Sequence, residues 1–163
     1  MDDRRHGFTL LETMIVLAII LILAAVAVPN LLRSKMSANE AVAQESLHVL
    51  DSALFQYWTT YRTYPSALAN LGPGTPFDQA SADLIEPVLA HGTKAGYTFI
   101  YTPAQTDLDG IVSAYNITAM PAVTGLTGHL SFSMDQTGAI HGLAGSTIVA
   151  NPRSPGVTDA PQE

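Results

Sequence analysis

Gly7-Phe8-Thr9-Leu10-Leu11-Glu12 leads into residues 13–32, among which none is charged. As a helix that run is about 30 Å long, the thickness of a bilayer's hydrocarbon core. One carboxylate, Glu12, stands near its start. An ionised side chain at a membrane centre costs about 3 kcal/mol on insertion scales, so such a residue usually has a partner and a task. The stretch therefore sets the class of the chain, a domain attached to an apolar helix, and makes Glu12 its first functional candidate.

Working outward, the pattern turns amphipathic beyond Pro29. Leu47, Leu50, Leu54, Tyr57 or Trp58, and Tyr61 recur at steps of three and four, which marks one helix face for a core. Glu40, Gln44, Glu45, His48, Asp51 and Gln56 fall largely off that stripe. Pro65 closes the pattern, because the residue before a proline is pushed out of helical geometry. The spacing predicts one helix from Phe8 to near Arg62, about 80 Å long. Pro29 should bend it or open a turn, since it removes a backbone donor and crowds the preceding turn.

After the helix, Tyr64-Pro65-Ser66-Ala67-Leu68-Ala69-Asn70-Leu71-Gly72 reads as a turn and a short helical stretch stopped by glycine. A second short helix is expected around residues 81–90. Three strand candidates follow. Residues 96–102 are aromatic and β-branched and stop at Pro103, residues 113–119 end before Pro121, and residues 130–134 alternate cleanly. Asp135-Gln136-Thr137-Gly138 is a turn, and residues 139–141 form a short returning strand. The expected fold is α+β, with a long N-terminal helix packed through its amphipathic half on a three- to four-stranded antiparallel sheet. Residues 151–163, rich in Pro and Gly, read as a flexible tail.

Three readings compete for the N-terminus. Arg4 and Arg5, the apolar run and Ala25-Val26-Ala27 fit a secretory signal peptide, but Glu12 weakens its apolar core. A plain anchor, oriented with Arg4 and Arg5 on the cytoplasmic side, is the second. In it Thr9-Leu10-Leu11-Glu12 is only a capping box. The third uses every residue together. The basic leader, Gly7, Phe8, Glu12, the apolar helix and Pro29 resemble the processing site and first helix of the type IV pilin superfamily, which holds type IV pilins, type II secretion pseudopilins and competence pseudopilins.

The resemblance implies cleavage after Gly7 on the cytoplasmic side and N-methylation of Phe8 by the same peptidase. It implies that Glu12 pairs with the freed amine of a neighbouring subunit and sets subunit register, and that Pro29 kinks the helix. Residues 1–7 would be a leader, 8–32 a transmembrane and assembly helix, and 33–150 a pilin-like globular domain that includes the C-terminal half of the long helix. The implied function is that of a structural subunit of a type IV pilus-like filament, assembled from the inner membrane. Before assembly the chain would cross the inner membrane once; afterwards it would lie in a cell-surface or periplasmic filament. The implied partners are copies of itself, a prepilin peptidase, inner-membrane lipid, and an assembly platform with its ATPase. One alternative is the major pseudopilin of a type II secretion system; another is a non-polymerising, membrane-anchored binding domain. The Asp-Pro-Trp-Gly segment and calcium loop common in major pseudopilins are not evident, which favours the pilus branch. The absence of a C-terminal cysteine pair departs from many major pilins.

Catalytic and cofactor signals are poor. The chain has no cysteine, which excludes disulfides, iron–sulfur clusters and thiolate zinc sites. Its net charge of -7 argues against direct binding to nucleic acid, which depends on Lys and Arg neutralising phosphates. Asp107-Leu108-Asp109-Gly110 suggests a calcium loop but lacks the later acidic ligands, and a polar hairpin turn explains it as well. His48, His91, His129 and His141 show no metal-ligand spacing. Asn116-Ile117-Thr118 fits a glycosylation sequon but falls inside an expected strand. No nucleophile elbow, phosphate loop or dinucleotide fingerprint occurs. The expectation is a structural protein without a cofactor and without enzymatic activity.

Overall fold

One helix, α1 (Leu10–Tyr61), takes 52 residues, and the rest of the chain folds against its second half. The computed structural model describes residues 9–108 and 110–144; the leader 1–7, Phe8, Asp109 and the tail 151–163 lie outside the described residues. The first half of α1 is rich in Ile and Val, which favour strands in water, yet it is helical. A lone apolar segment can satisfy its backbone away from water only as a helix. The helix ends with Arg62 in the left-handed conformation (φ 59°), its amide donating to Trp58 O at 2.8 Å, with its guanidinium 5.4 Å from the Trp58 ring.

The buried stripe of α1 is Met36, Ala43, Ser46, Leu47, Leu50, Ala53, Leu54 and Tyr57. Between the two aromatic candidates the core takes Tyr57, while Trp58 stays on the exposed side. A 3₁₀ turn (Leu68–Leu71) and α2 (Pro87–Ala90) follow. The second short helix is thus confined to its last turn. The amides of Ala82, Asp83, Leu84 and Ile85 donate to the carbonyls of Asn70, Gly72 and Leu71, so segment 82–85 is held by the neighbouring turn instead of by its own ladder.

The sheet is a five-stranded antiparallel meander in sequence order: β1 (Thr93–Lys94), β2 (Tyr97–Thr106), β3 (Val112–Pro121), β4 (Leu130–Asp135) and β5 (Ile140–Ala144). Three or four strands are expected from the sequence; the fifth is β1, which is only two residues long. Two proline boundaries also move. β2 runs through Pro103, which pairs with Tyr115, and β3 includes Pro121, paired with Tyr97. β1 flanks β2 only at Thr98 and Tyr97, so at Pro103 β2 is an edge strand and the missing amide breaks no ladder bond on that side. Tyr97, Phe99, Tyr115, Ile117, Ala119, Phe132 and Met134 close the core against α1.

Two carboxylates that the periodicity leaves outside the stripe hold the helix to the sheet. Glu40 Oε1 accepts from the amides of His129 (2.7 Å) and Leu130 (3.2 Å), and Asp51 Oδ1 accepts from Tyr115 Oη at 3.2 Å. The neighbouring Asn39 amide donates to Thr127 O at 2.9 Å. At the far end, Val112 N donates to Thr63 Oγ1 at 2.9 Å. β4 therefore runs alongside α1 in the same direction, and the β3–β4 connection lies at the end of the domain nearest the exposed half of the helix.

Burial, aided by Glu40, pushes the Tyr97 phenol up to about 12. Burial also raises Tyr101 and Tyr115, the former helped by Tyr64 and the latter by the Asp51 carboxylate. An unfolded chain releases phenolic protons near pH 10, roughly the unperturbed value, whereas the folded chain retains them. Stability should thus be intact below about pH 10 and fall as pH rises towards about 12, because the native state then binds more protons. Urea denaturation at a series of alkaline pH values checks this, and a midpoint unchanged across that range would exclude a protonated tyrosine core.

Candidate functional site

Among the described residues nothing buries the first half of α1: residues 10–32 are exposed throughout, apart from a half-buried Ala24. Leu10 is 77% exposed and Leu31 70%, which rules out the core helix of a soluble fold as the reason for this composition. Bare apolar surface on this scale requires a cover, either lipid or another protein. The length fits a bilayer, so the half-helix is built to be covered by something outside its own chain.

The N-terminal turn is built from backbone and one hydroxyl. Thr9, extended at φ −80° and ψ 148°, caps the helix by accepting from Glu12 N at 3.2 Å. Its carbonyl accepts from Thr13 N at 3.3 Å, and Thr13 Oγ1 returns a bond to Leu10 O at 2.8 Å. The reciprocal half of a capping box does not form. Among the described residues the exposed Glu12 carboxylate has no hydrogen-bond or ion-pair partner. The cap thus uses only the backbone amide of Glu12 and not its carboxylate.

Pro29 lies inside α1, and the helix continues on both sides of it. By the i to i−4 rule its missing amide withdraws the donor for Ala25 O. One residue on, the Asn30 side chain donates to Val26 O at 3.2 Å. Gly7 and Phe8, the expected cleavage and methylation positions, lie outside the described residues.

The remaining candidates fall into ordinary structural positions. Asp107 closes the β2–β3 hairpin: its carboxylate accepts from Ile111 N at 2.8 Å and its carbonyl from Gly110 N at 3.1 Å, with Gly110 at φ 79°. Asn116, Ile117 and Thr118 lie within β3, with Thr118 buried. His48 is on α1, His91 follows α2, His129 is on the β3–β4 connection and His141 is in β5, so the fold does not gather them. Among the described residues no three His, Asp or Glu side chains are placed to hold a metal ion. Glu40, Asn39 and Asp51 are the positions that sequence reasoning passed over. Their partners are 88, 89, 90 and 64 residues away, and helical periodicity carries no signal for contacts of that range.

Comparison with known proteins marks the N-terminal segment first. The family model of the prokaryotic N-terminal methylation motif matches residues 2–28. The type II secretion system core protein G of Escherichia coli is 35% identical over 95 residues, covering 58% of this chain and 62% of that protein. The protein of the same name from Dickeya chrysanthemi is 38% identical over 81 residues, 47% of this chain and 53% of that one. The type IV wide pilus major component PilA4 of Thermus thermophilus is 44% identical over 71 residues, 40% of this chain and 53% of that protein. The chain thus spans between about half and three-fifths of the length of these relatives. With the methylation motif at its head, an exposed apolar half-helix, and an antiparallel sheet packed on the other half, the chain has the sequence signature and the build of the type IV pilin superfamily, and is similar to its type II secretion and type IV pilus members.

Proposed function

We propose that the chain is a structural subunit of a type IV pilus-like filament. The observation that carries this reading is the conjunction of an exposed apolar half-helix with a carboxylate in its first turn that has no partner among the described residues. A peptidase cuts after Gly7, where the absence of a side chain suits close approach of the backbone to an enzyme. Phe8 then carries a free amine, which is N-methylated and remains cationic. Glu12 lies one helical turn along, within reach of that amine in an adjacent copy, and a paired charge in apolar surroundings is far less costly than a lone one. The pair fixes register, while apolar contact along residues 10–32 supplies cohesion. Pro29 supplies a point of bending. The partners in this reading are other copies, the peptidase, inner-membrane lipid, and an assembly platform with its ATPase. The subunit waits as a single-pass inner-membrane protein and ends in a surface or periplasmic filament, with no enzymatic role.

A second reading, the major pseudopilin of a type II secretion system, is favoured by one observation. The stretch shared with core protein G of Escherichia coli is longer than that shared with PilA4, 95 residues against 71. Both readings require the same processing. Mass and N-terminal sequence of the protein purified from its native membrane test it. A chain starting at Phe8 with one added methyl group is the expected result. A start at Val28 would mean a cleaved signal peptide, and an intact start at Met1 or Asp2 a plain anchor; either overturns the proposal. Deletion of the gene then separates the branches, by loss of surface filaments or by loss of protein secretion.

A further inference from the structure

The end of the domain nearest the apolar half-helix has a composition unlike the rest of the surface. Leu32 is the last residue of the uncharged run, and Arg33 and Lys35 follow at once, both exposed. Two positions apart on a helix, they point about 200° away from each other, so they flank the helix axis. Among the described residues neither has an ion-pair or hydrogen-bond partner. Domain packing begins one residue later at Met36, and Asn39 and Glu40 fasten the β3–β4 connection. From Leu32 to Asn39 is only about 10 Å along the helix, a few ångströms more than the roughly 5–7.5 Å of a headgroup layer and within reach of side chains on the turn.

The fastened connection, residues 122–129, is itself a rigid turn. The amides of Leu126 and Thr127 donate to Val123 O, Gly125 N donates to Gly128 O, and Val123 N donates to Thr127 Oγ1. This turn presents two apolar side chains to the outside, Val123 at 52% exposure and Leu126 at 55%. It does so about 10 Å along the helix from Leu32, on the headgroup side of the hydrocarbon boundary if residues 10–32 span the bilayer. An acidic protein (net charge -7) set against an anionic leaflet would otherwise be repelled.

We propose that Arg33, Lys35, Val123 and Leu126 form one surface that docks the base of the domain on anionic phospholipid headgroups of the far leaflet. The two cations take the phosphates, and the turn inserts its apolar tip between them, as amphipathic interfacial elements do. The domain of the unassembled subunit is then held in one orientation on the membrane instead of swinging on the helix. This inference rests on reading residues 10–32 as membrane-spanning and does not depend on filament formation.

The test uses the full chain in vesicles of phosphatidylcholine with or without phosphatidylglycerol. The protein has no cysteine, so Leu126→Cys at the base and Leu108→Cys at the β2–β3 hairpin each accept a single environment-sensitive dye. With phosphatidylglycerol present, a headgroup-attached quencher should quench the dye at position 126 severalfold more than the dye at 108. Arg33→Gln and Lys35→Gln should each shift the docked-to-undocked ratio by about fivefold, and added salt should weaken docking in the wild type. Equal quenching at the two positions in a chain that floats with the vesicles would overturn the docking surface. A chain that does not float would overturn the membrane reading beneath it. Inorganic phosphate that releases the base more than chloride of equal ionic strength would assign the cations to a free anion and overturn the lipid assignment.

Discussion

Gly128→Ala should lower the unfolding free energy by roughly 3–5 kcal/mol, combining overpacking with a lost buried hydrogen bond. A Cβ at this position would fall 2.1 Å from Tyr97 Oη and 2.8 and 3.0 Å from two ring carbons. Tyr97 cannot step aside cheaply. It is 1% exposed, its hydroxyl donates to Leu130 O at 2.8 Å, and its ring lies 6.1 Å from that of Phe132. Accommodating the methyl means either turning the phenol away from its acceptor or pulling the 122–129 turn off the helix, which strains the Asn39 and Glu40 bonds. Gly110→Ala is the contrast. Among the described residues, its chain neighbours aside, nothing lies within 4 Å of its added Cβ, and the positive φ of 79° is the unfavourable term, a cost of about 1 kcal/mol. Urea denaturation in detergent should show a large drop in midpoint for the first variant and a small one for the second. Tyr97→Phe in the Gly128→Ala background should recover part of the loss, since it removes the nearest clashing atom. Equal midpoints for the two glycine variants would mean that the Tyr97–Gly128 contact is not a constraint on the fold.

The contrast between these two glycines shows where the sequence was legible. Gly110 sits in Asp107-Leu108-Asp109-Gly110, and its turn is readable because the residues that require it are adjacent. Gly128 looks like loop punctuation in Gly125-Leu126-Thr127-Gly128; its real constraint is a tyrosine 31 positions earlier. The same division runs through the fold. Helix α1 and strands β2 to β4 declare themselves by period, and the N-terminal motif by its order of residues. The short helix expected over 81–90 shrank to α2 because tertiary carbonyls at Leu71 and Gly72 outcompeted the local ladder. Pro103 proved no barrier because strand position within a sheet, edge or centre, is not written in the strand itself. At the N-terminus, Glu12 was visible as a candidate because a charge in an apolar run is conspicuous. Glu40 and Asp51 were not, because on an amphipathic helix a carboxylate that docks reads the same as one that is solvated.

Glu12→Ala should abolish filament assembly while leaving subunit folding and insertion intact, and the three effects can be separated. The Thr9 cap survives, because it binds the backbone amide of residue 12 and not its side chain. The globular domain is indifferent, because its packing begins at Met36. Insertion should improve, since removing a carboxylate from an apolar helix relieves a cost of up to about 3 kcal/mol. In the proposed filament, what is lost is the partner of the Phe8 amine in an adjacent copy. Stranding one member of a charge pair away from water costs roughly 3–5 kcal/mol, which is a factor of about 10² or more in each subunit's association. A polymer repeats that loss at every step, so the expected outcome is complete loss of sheared filaments with an undiminished membrane pool. Glu12→Gln should behave nearly as badly, because an amide keeps the shape but not the charge. Immunoblots of sheared and membrane fractions read both quantities at once. A depleted membrane pool would place the role of Glu12 in the subunit itself, whereas normal filaments from Glu12→Ala would reduce the residue to a bystander in the first turn of the helix.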